Sequence, residues 1–343
     1  MFFHFKGIKF QFVKSLRSIV TILRGASDKK SRPGEAGGGF YAAAEGLLGR
    51  ITILSLITGD KMTKSNLSRP SSNGKVMVKG KEYNIDIAGC LDLPRLNIRS
   101  LRDISLENAN PDAIKTLNLS DNNIINLDGI DSFQNLENLS LSNNNLGSIE
   151  GLQSCKKLKE IRLDYNRLKR IDELKDSKYL NIVNLSYNHL ISTDGLEECI
   201  NLTELYMDNN HIERVNNLDH LKNLFIINLA YNKLKDFNGI RMDMSKNGCD
   251  SAELDVSHND IAGTISLDEF KGSDVHFNAS WNHIFEVTLT KEIWFGELNL
   301  SYNCLTSVEF ARKLRVFEAF VVRGNPITSL APAEENREIA RIE

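Results

Sequence analysis

The string LNLSDNNI at residues 117–124 decides the fold, because it comes back. It returns as LSLSNNNL (139–146), IRLDYNRL (161–168), VNLSYNHL (183–190), LYMDNNHI (205–212), INLAYNKL (227–234), LDVSHNDI (254–261), FNASWNHI (277–284), LNLSYNCL (298–305) and FVVRGNPI (320–327). Aligned on one asparagine, the strings give the column Asn122, Asn144, Asn166, Asn188, Asn210 and Asn232 at a spacing of 22, then Asn259, Asn282, Asn303 and Asn325 at spacings of 27, 23, 21 and 22. Ten strings in register are a repeat array, whose core grows along one axis, so the length of 343 residues does not imply two or three domains.

Each position in the string has a physical task. The apolar-x-apolar pair alternates with period two, which makes a short strand with both apolar residues facing inward. Successive strands stack into one parallel sheet. The Asn stands where the chain leaves the sheet. Its amide both donates and accepts, so it can satisfy turn backbone groups, including those of the next coil. Aspartate could not donate, and leucine would strand those groups at roughly 1–3 kcal/mol each. The return path is apolar at fixed offsets: Leu146, Ile149, Leu152, Cys155 and Leu158, then Ile161 and Leu163. Cys155 and Cys199 share the offset of Phe133 and Leu221 in other coils, which predicts packing residues and not nucleophiles. Gly129, Gly151, Gly195 and Gly239 recur at one offset and suit a tight turn.

This LxxLxLxxNxL pattern resembles the leucine-rich repeat over residues 117–327. The 22-residue period with its I-x-G-L turn is similar to the short class found in phosphatase-regulatory subunits and related intracellular scaffolds. The resemblance implies an α/β repeat solenoid, the leucine-rich-repeat horseshoe, with a parallel concave sheet and a mostly 3₁₀ or extended convex side. It also implies a non-catalytic protein-interaction scaffold, with a phosphatase or a cytoskeletal or signalling partner. RGNPITSL (323–330) resembles the start of that class's terminal cap.

The flanks read differently. Residues 1–61 carry a basic stretch in which Ile8, Phe12, Leu16, Ile19 and Leu23 fall near helical spacing. Residues 1–50 hold nine Lys/Arg against three Asp/Glu, although the whole chain is at −3. Three readings stay open: a targeting or membrane-surface segment making peripheral contact through residues 1–25, a partner helix, or an extension upstream of a start at Met62. A Gly/Ser/Lys linker at 26–39 and an apolar stretch carrying Glu45 and Arg50 complete this region. Residues 62–116 read as linker and N-terminal cap, with KVMVKGKEYNIDIAG (75–89) as its strands. The repeats fill 117–330. Residues 331–343 read as a short polar closing helix or tail, with Pro332 ahead of Glu334, Glu335 and Glu338. One interruption stands out: five extra residues between Asn232 and Asn259, within MDMSKNGCDSA (242–252), read as a loop insertion or a partner-contacting bulge.

No catalytic arrangement emerges. P-loop, dinucleotide-binding, HExxH and GxSxG strings are absent, so neither an enzyme nor a cofactor is expected. His189 and His211 stand in one column of adjacent coils, but no third ligand accompanies them and no metal is expected. The outward residues of each strand are more informative. They include Asp121, Glu160, Asp164, Glu204, Asp208, Glu253, Asp255 and Glu297, against Arg162 and Arg323. Next to the ladder Asn runs an aromatic column, Tyr165, Tyr187, Tyr231, Trp281 and Tyr302, with Tyr206 one strand position away. Such a face should repel nucleic acid and favour a protein with a basic surface, anchored on Tyr and Trp. The aromatic residues can equally be read as shields for the strand edge. Five scattered cysteines without a CxxC pair favour a reducing, cytoplasmic setting and a monomer without a disulfide framework. Two other functional classes remain open: a secreted or host-directed effector targeted by residues 1–61, and a protein component of a ribonucleoprotein particle.

Overall fold

A computed structural model describes residues 74–216, 218–240, 251–270 and 274–343. The basic segment 1–61, its linker and most of the insertion at 242–252 lie outside the described residues. Residues 69–343 form one compact unit. It is a solenoid built on an eleven-stranded sheet in which every neighbouring pair is parallel and strand order follows chain order.

The coil around Asn166 shows why the sequence folds this way. The strand Glu160–Arg162 is three residues long. Ile161 and Leu163 are fully buried, and Leu168, Ile171 and Leu174 close the same apolar column on the way round. Each such side chain contributes roughly 1.5–3 kcal/mol by leaving water. The polar core of the coil is Asn166. Its Nδ2 donates to the carbonyls of Leu163 (3.0 Å) and Leu141 (2.9 Å), and its Oδ1 accepts from the Leu146 amide (2.9 Å). Two of those three partners belong to the preceding coil, so the ladder reaches backward along the chain and not to the next coil as the sequence reading had it. The same set recurs at Asn122, Asn144, Asn188, Asn210, Asn232, Asn259, Asn282, Asn303 and Asn325.

The solenoid begins one coil before the boundary at 117. The strand Cys90–Asp92 pairs in parallel with Thr116–Asn118, Leu91 opposite Leu117. This coil escapes the sequence pattern because Leu96 stands where later coils carry the ladder Asn. The position is identified by Arg95, whose φ of +57° and whose amide bond to Ser120 O match those of Asp121 one coil on. Ahead of it sits a three-stranded antiparallel cap, with Gly74–Val78 between Lys81–Asn84 and Ile104–Ala109. Lys79 and Gly80 make its hairpin turn, both at positive φ. Val76, Val78 and Ile104 are buried and shield the first coil.

The return path is 3₁₀ at Ile130–Ser132 and Leu152–Ser154, which follow Gly129 and Gly151, and at Asp172–Leu174; at Gly195 and Gly239 it makes turns instead. After the insertion it changes. Ala262–Ser266 and His283–Thr288 form a second, two-stranded parallel sheet there. Their runs GTIS and FEVT hold Thr264, Ile265, Val287 and Thr288, β-branched residues that favour extension. Phe237, Phe270, Phe277 and Phe295 pack together inside these coils. At the far end the strand Leu314–Val321 is the last of the sheet. The closing helix is only Ala331–Glu334. The residues after it run alongside the last strand: the Val316 amide donates to Glu338 O (2.9 Å), and the Phe320 amide to Arg341 O (2.8 Å). An extended segment therefore covers the sheet edge, in addition to the helix expected from the sequence.

Candidate binding face of the solenoid

The outward residues of each strand form four columns, lying six, four, two and one positions before the ladder Asn. In the first column the register sets Glu160 beside Ile182, Ile182 beside Glu204, Glu204 beside Ile226, and Ile226 beside Glu253. It continues through His276 to Glu297. A carboxylate thus stands on every second strand, with an apolar or imidazole side chain between. At about 4.8 Å per strand the acids are roughly 10 Å apart, near one Debye length in physiological salt, so they hardly oppose one another.

Several of these charges are already engaged. Asp121 pairs with Arg95 (3.1 Å) and Glu160 with Arg162 (2.6 Å). Asp164 accepts from the Ser142 hydroxyl of the preceding coil (2.6 Å), and Asp208 from Ser186 and Asn209. Burial pushes the Asp164 carboxyl above the usual aspartate range, against the Ser142 hydrogen bond, which pulls it down. Asp255 accepts from Asn278 (3.0 Å). Glu253 is exposed. The face carries more cation than the sequence count gave: Arg95 belongs to it and was missed because its coil lacks the Asn.

The aromatic column stands at the residue before each ladder Asn. Every non-glycine residue there is in the left-handed region, with φ between +54° and +57° from Asp121 through Tyr302. This conformation turns the chain out of the sheet and leaves the side chain against those of the neighbouring coils. Tyr165 stacks on Tyr187 at 4.2 Å between ring centroids. Asn209 then interrupts the column. A longer stack follows: Tyr231 on His258 (4.1 Å), His258 on Trp281 (5.4 Å), Trp281 on Tyr302 (4.1 Å), with the Arg323 guanidinium 5.7 Å from the Tyr302 ring. The Tyr and Trp rings stay between 37% and 52% exposed, so stacking leaves their outer edges free. Burial first, then the neighbouring Tyr187, pushes the Tyr165 phenol up to about 12. Burial lowers the His258 imidazole, opposed by Asp255, and favours the neutral ring within its stack. Tyr206 lies apart, half-buried in its strand, and donates to Glu204 (2.9 Å).

His258 and His276 also sit at column offsets, one before Asn259 and six before Asn282, but a neutral imidazole shares neither the charge of the acids nor the Tyr/Trp pattern by which the columns stand out in the sequence. Trp294 and Phe317 form a further exposed stacked pair (5.2 Å) on the last two strands. No periodic signal marks it. His189 and His211 do stack, at 5.7 Å, and both are exposed. Cys155 and Cys199 are buried in the column that predicted them, and burial drives the Cys199 thiol up to about 12.

Models of leucine-rich repeats match residues 134–176, as two copies, and 176–198. A comparison with curated proteins gives no match. Among solved structures the chain is similar to the functional domain of InlJ from Listeria monocytogenes, at 20% identity and a TM-score of 0.57 over 74% of this chain and 53% of that one. The chain therefore spans about half the length of that domain. It is also similar to the APL1 leucine-rich repeat domain, at 20% identity and a TM-score of 0.51 over 70% of this chain and 69% of that one. The LRIM1/APL1C complex supplies a third match, at 20% identity and a TM-score of 0.50 over 70% and 49%. At this identity the likeness concerns the fold.

Proposed function

The chain is a leucine-rich-repeat protein, and we propose that it is a non-catalytic scaffold which binds a protein of basic surface along its sheet face. The observation that carries this reading is the run of stacked, half-exposed rings from Tyr231 through His258 and Trp281 to Tyr302. Packed against each other, these rings have little rotamer freedom left to lose on binding, which favours them as anchors. Tyr165 and Tyr187 supply a second, shorter anchor. Glu160, Glu204, Glu253 and Glu297, with Asp164, Asp208, Asp121 and Asp255, give the face its sign and select a basic partner. Direct nucleic-acid binding is disfavoured by the same charges. One of the structural matches is a chain of the LRIM1/APL1C complex, and so of a protein assembly. The exposed thiol of Cys304 and the buried thiols of Cys155 and Cys199 suit a reducing compartment.

The test begins with a photo-crosslinking residue at position 231 of the full chain, which covalently captures the partner for identification. The isolated partner is then titrated against variants. Trp281→Ala is expected to weaken binding at least about tenfold, a loss of roughly 1.4 kcal/mol. Glu253→Lys should act in the same direction, and Lys156→Ala, on the return path, should change nothing. Equal affinity of the parent and Trp281→Ala would remove the sheet face as the binding surface.

A further inference from the structure

On the last three strands the first outward column departs from its pattern. His276 and Glu297 are direct cross-strand partners, and Glu297 is paired in turn with Ala319. The final strand, however, holds one residue more than its neighbour between the pairs Phe295–Val316 and Glu297–Ala319. Gly296 stands alone on one side, with Phe317 and Glu318 on the other. This is a β-bulge, a device that re-aims a side chain. Its effect here is to bring Glu318 to the two residues already in place. One ligand atom from each of His276, Glu297 and Glu318 lies within 4.8 Å of the other two.

Two further observations mark the spot. His276 Nε2 is buried and has no hydrogen-bond partner. Asp274 Oδ1 lies 3.3 Å from it, an ion pair when the ring is protonated, and makes no hydrogen bond with it. A buried polar atom left without a partner is costly and calls for an explanation. Residue 296 is also a glycine whose Cβ, if present, would stand 2.7 Å from that nitrogen and 2.3 Å from Asp274 Oδ1. A side chain there would fill the space in front of the nitrogen. Arg315, on the bulged strand, is turned toward Glu292 (2.9 Å).

We propose that His276, Glu297 and Glu318 bind one divalent transition-metal ion of the zinc class. An imidazole and two carboxylates form a mixed N/O donor set, which suits zinc better than magnesium with its preference for oxygen alone. Metal–ligand bonds of roughly 2.0–2.2 Å put tetrahedral donors roughly 3.3–3.6 Å apart, so the carboxylates need only small rotations to close on an ion. Three protein ligands leave a fourth position to water or to a bound partner's donor. The site lies at the strand-start border of the same face, opposite the border that carries the ring stack.

The experiment uses the full chain, stripped with chelator and titrated calorimetrically with zinc chloride and, separately, magnesium chloride. One zinc per chain at micromolar affinity or tighter is expected, with magnesium at least about a hundredfold weaker. Cobalt(II) should give the visible absorption of a four-coordinate site. His276→Ala and Glu318→Gln should each weaken zinc at least about tenfold, and far-ultraviolet circular dichroism should report both folded. Glu318→Gln keeps the shape of an exposed bulge residue and serves if His276→Ala fails to fold. The double variant His189→Ala/His211→Ala should bind as the parent does. No saturable zinc binding, binding unchanged in Glu318→Gln and His276→Ala, or binding lost in the His189/His211 variant would each overturn the assignment.

Discussion

A tyrosine in the left-handed region, repeated coil after coil, runs against backbone preference. For an L-residue that conformation costs roughly 1–2 kcal/mol, and asparagine tolerates it best. Asn143 and Asn209 take that option; Tyr165, Tyr187, Tyr231, Trp281 and Tyr302 do not. Stacking at 4.1–4.2 Å offsets part of the cost, at roughly 0.5–1.5 kcal/mol per pair. Tyr187→Asn should therefore leave the unfolding free energy within about 1 kcal/mol of the parent in denaturant titrations, because relief of backbone strain offsets the lost stack. A large loss would assign the rings a structural task and weaken the case for binding. Asp164 allows a pH test. Its carboxyl sits above its unfolded value in the folded chain, so its contribution to stability is fully present below the unfolded pKa near 3.8 and is lost as pH rises through the folded value. Asp164→Asn should then be the more stable protein at neutral pH, with the difference shrinking as pH falls toward 4 in thermal melts.

At the scale of elements, the inward L-x-L pair and the Asn identify ten strands, because period two and a buried amide each demand particular residue types. The eleventh was hidden by one substitution, Leu96 in the ladder position, which exchanges a hydrogen-bonding amide for a side chain packed against the core. The edge-covering tail and the bulge at Phe317–Glu318 left no periodic trace either. Both are set by pairing with a particular neighbour, which a repeat pattern does not encode. The same holds for the proposed metal ligands, since Glu318 is out of column by one residue. The convex turns were legible through glycine, and Gly195 shows why. Its φ is +104°, and a Cβ would lie 2.4 Å from Ile171 O in the preceding coil. Gly195→Ala should destabilise by more than about 1 kcal/mol in urea titrations, through the clash and the disfavoured φ together. Gly147, with no atom near its would-be Cβ and no left-handed φ, should accept alanine without measurable loss.

Over the whole molecule stability passes from coil to coil, since each strand pairs only with its two neighbours in the sheet. The ladder carries that coupling as well. Asn188 donates to Leu163 O in the preceding coil and to Leu185 O in its own, and accepts from the Leu168 amide. Removing its amide orphans buried groups on both sides of an interior interface. Asn325 makes the same bonds at the end of the array, but it is half-buried, so water can replace part of what it provides. Asn188→Ala should therefore cost at least about 3 kcal/mol, and Asn325→Ala clearly less. Hydrogen exchange followed by mass spectrometry adds a spatial check. In Asn188→Ala, protection should fall first in the strands Glu160–Arg162, Ile182–Asn184 and Glu204–Tyr206, while Cys90–Asp92 and Leu314–Val321 keep theirs. A uniform loss from end to end would mean that the solenoid unfolds as one cooperative block, and that nearest-neighbour coupling through the ladder does not limit it.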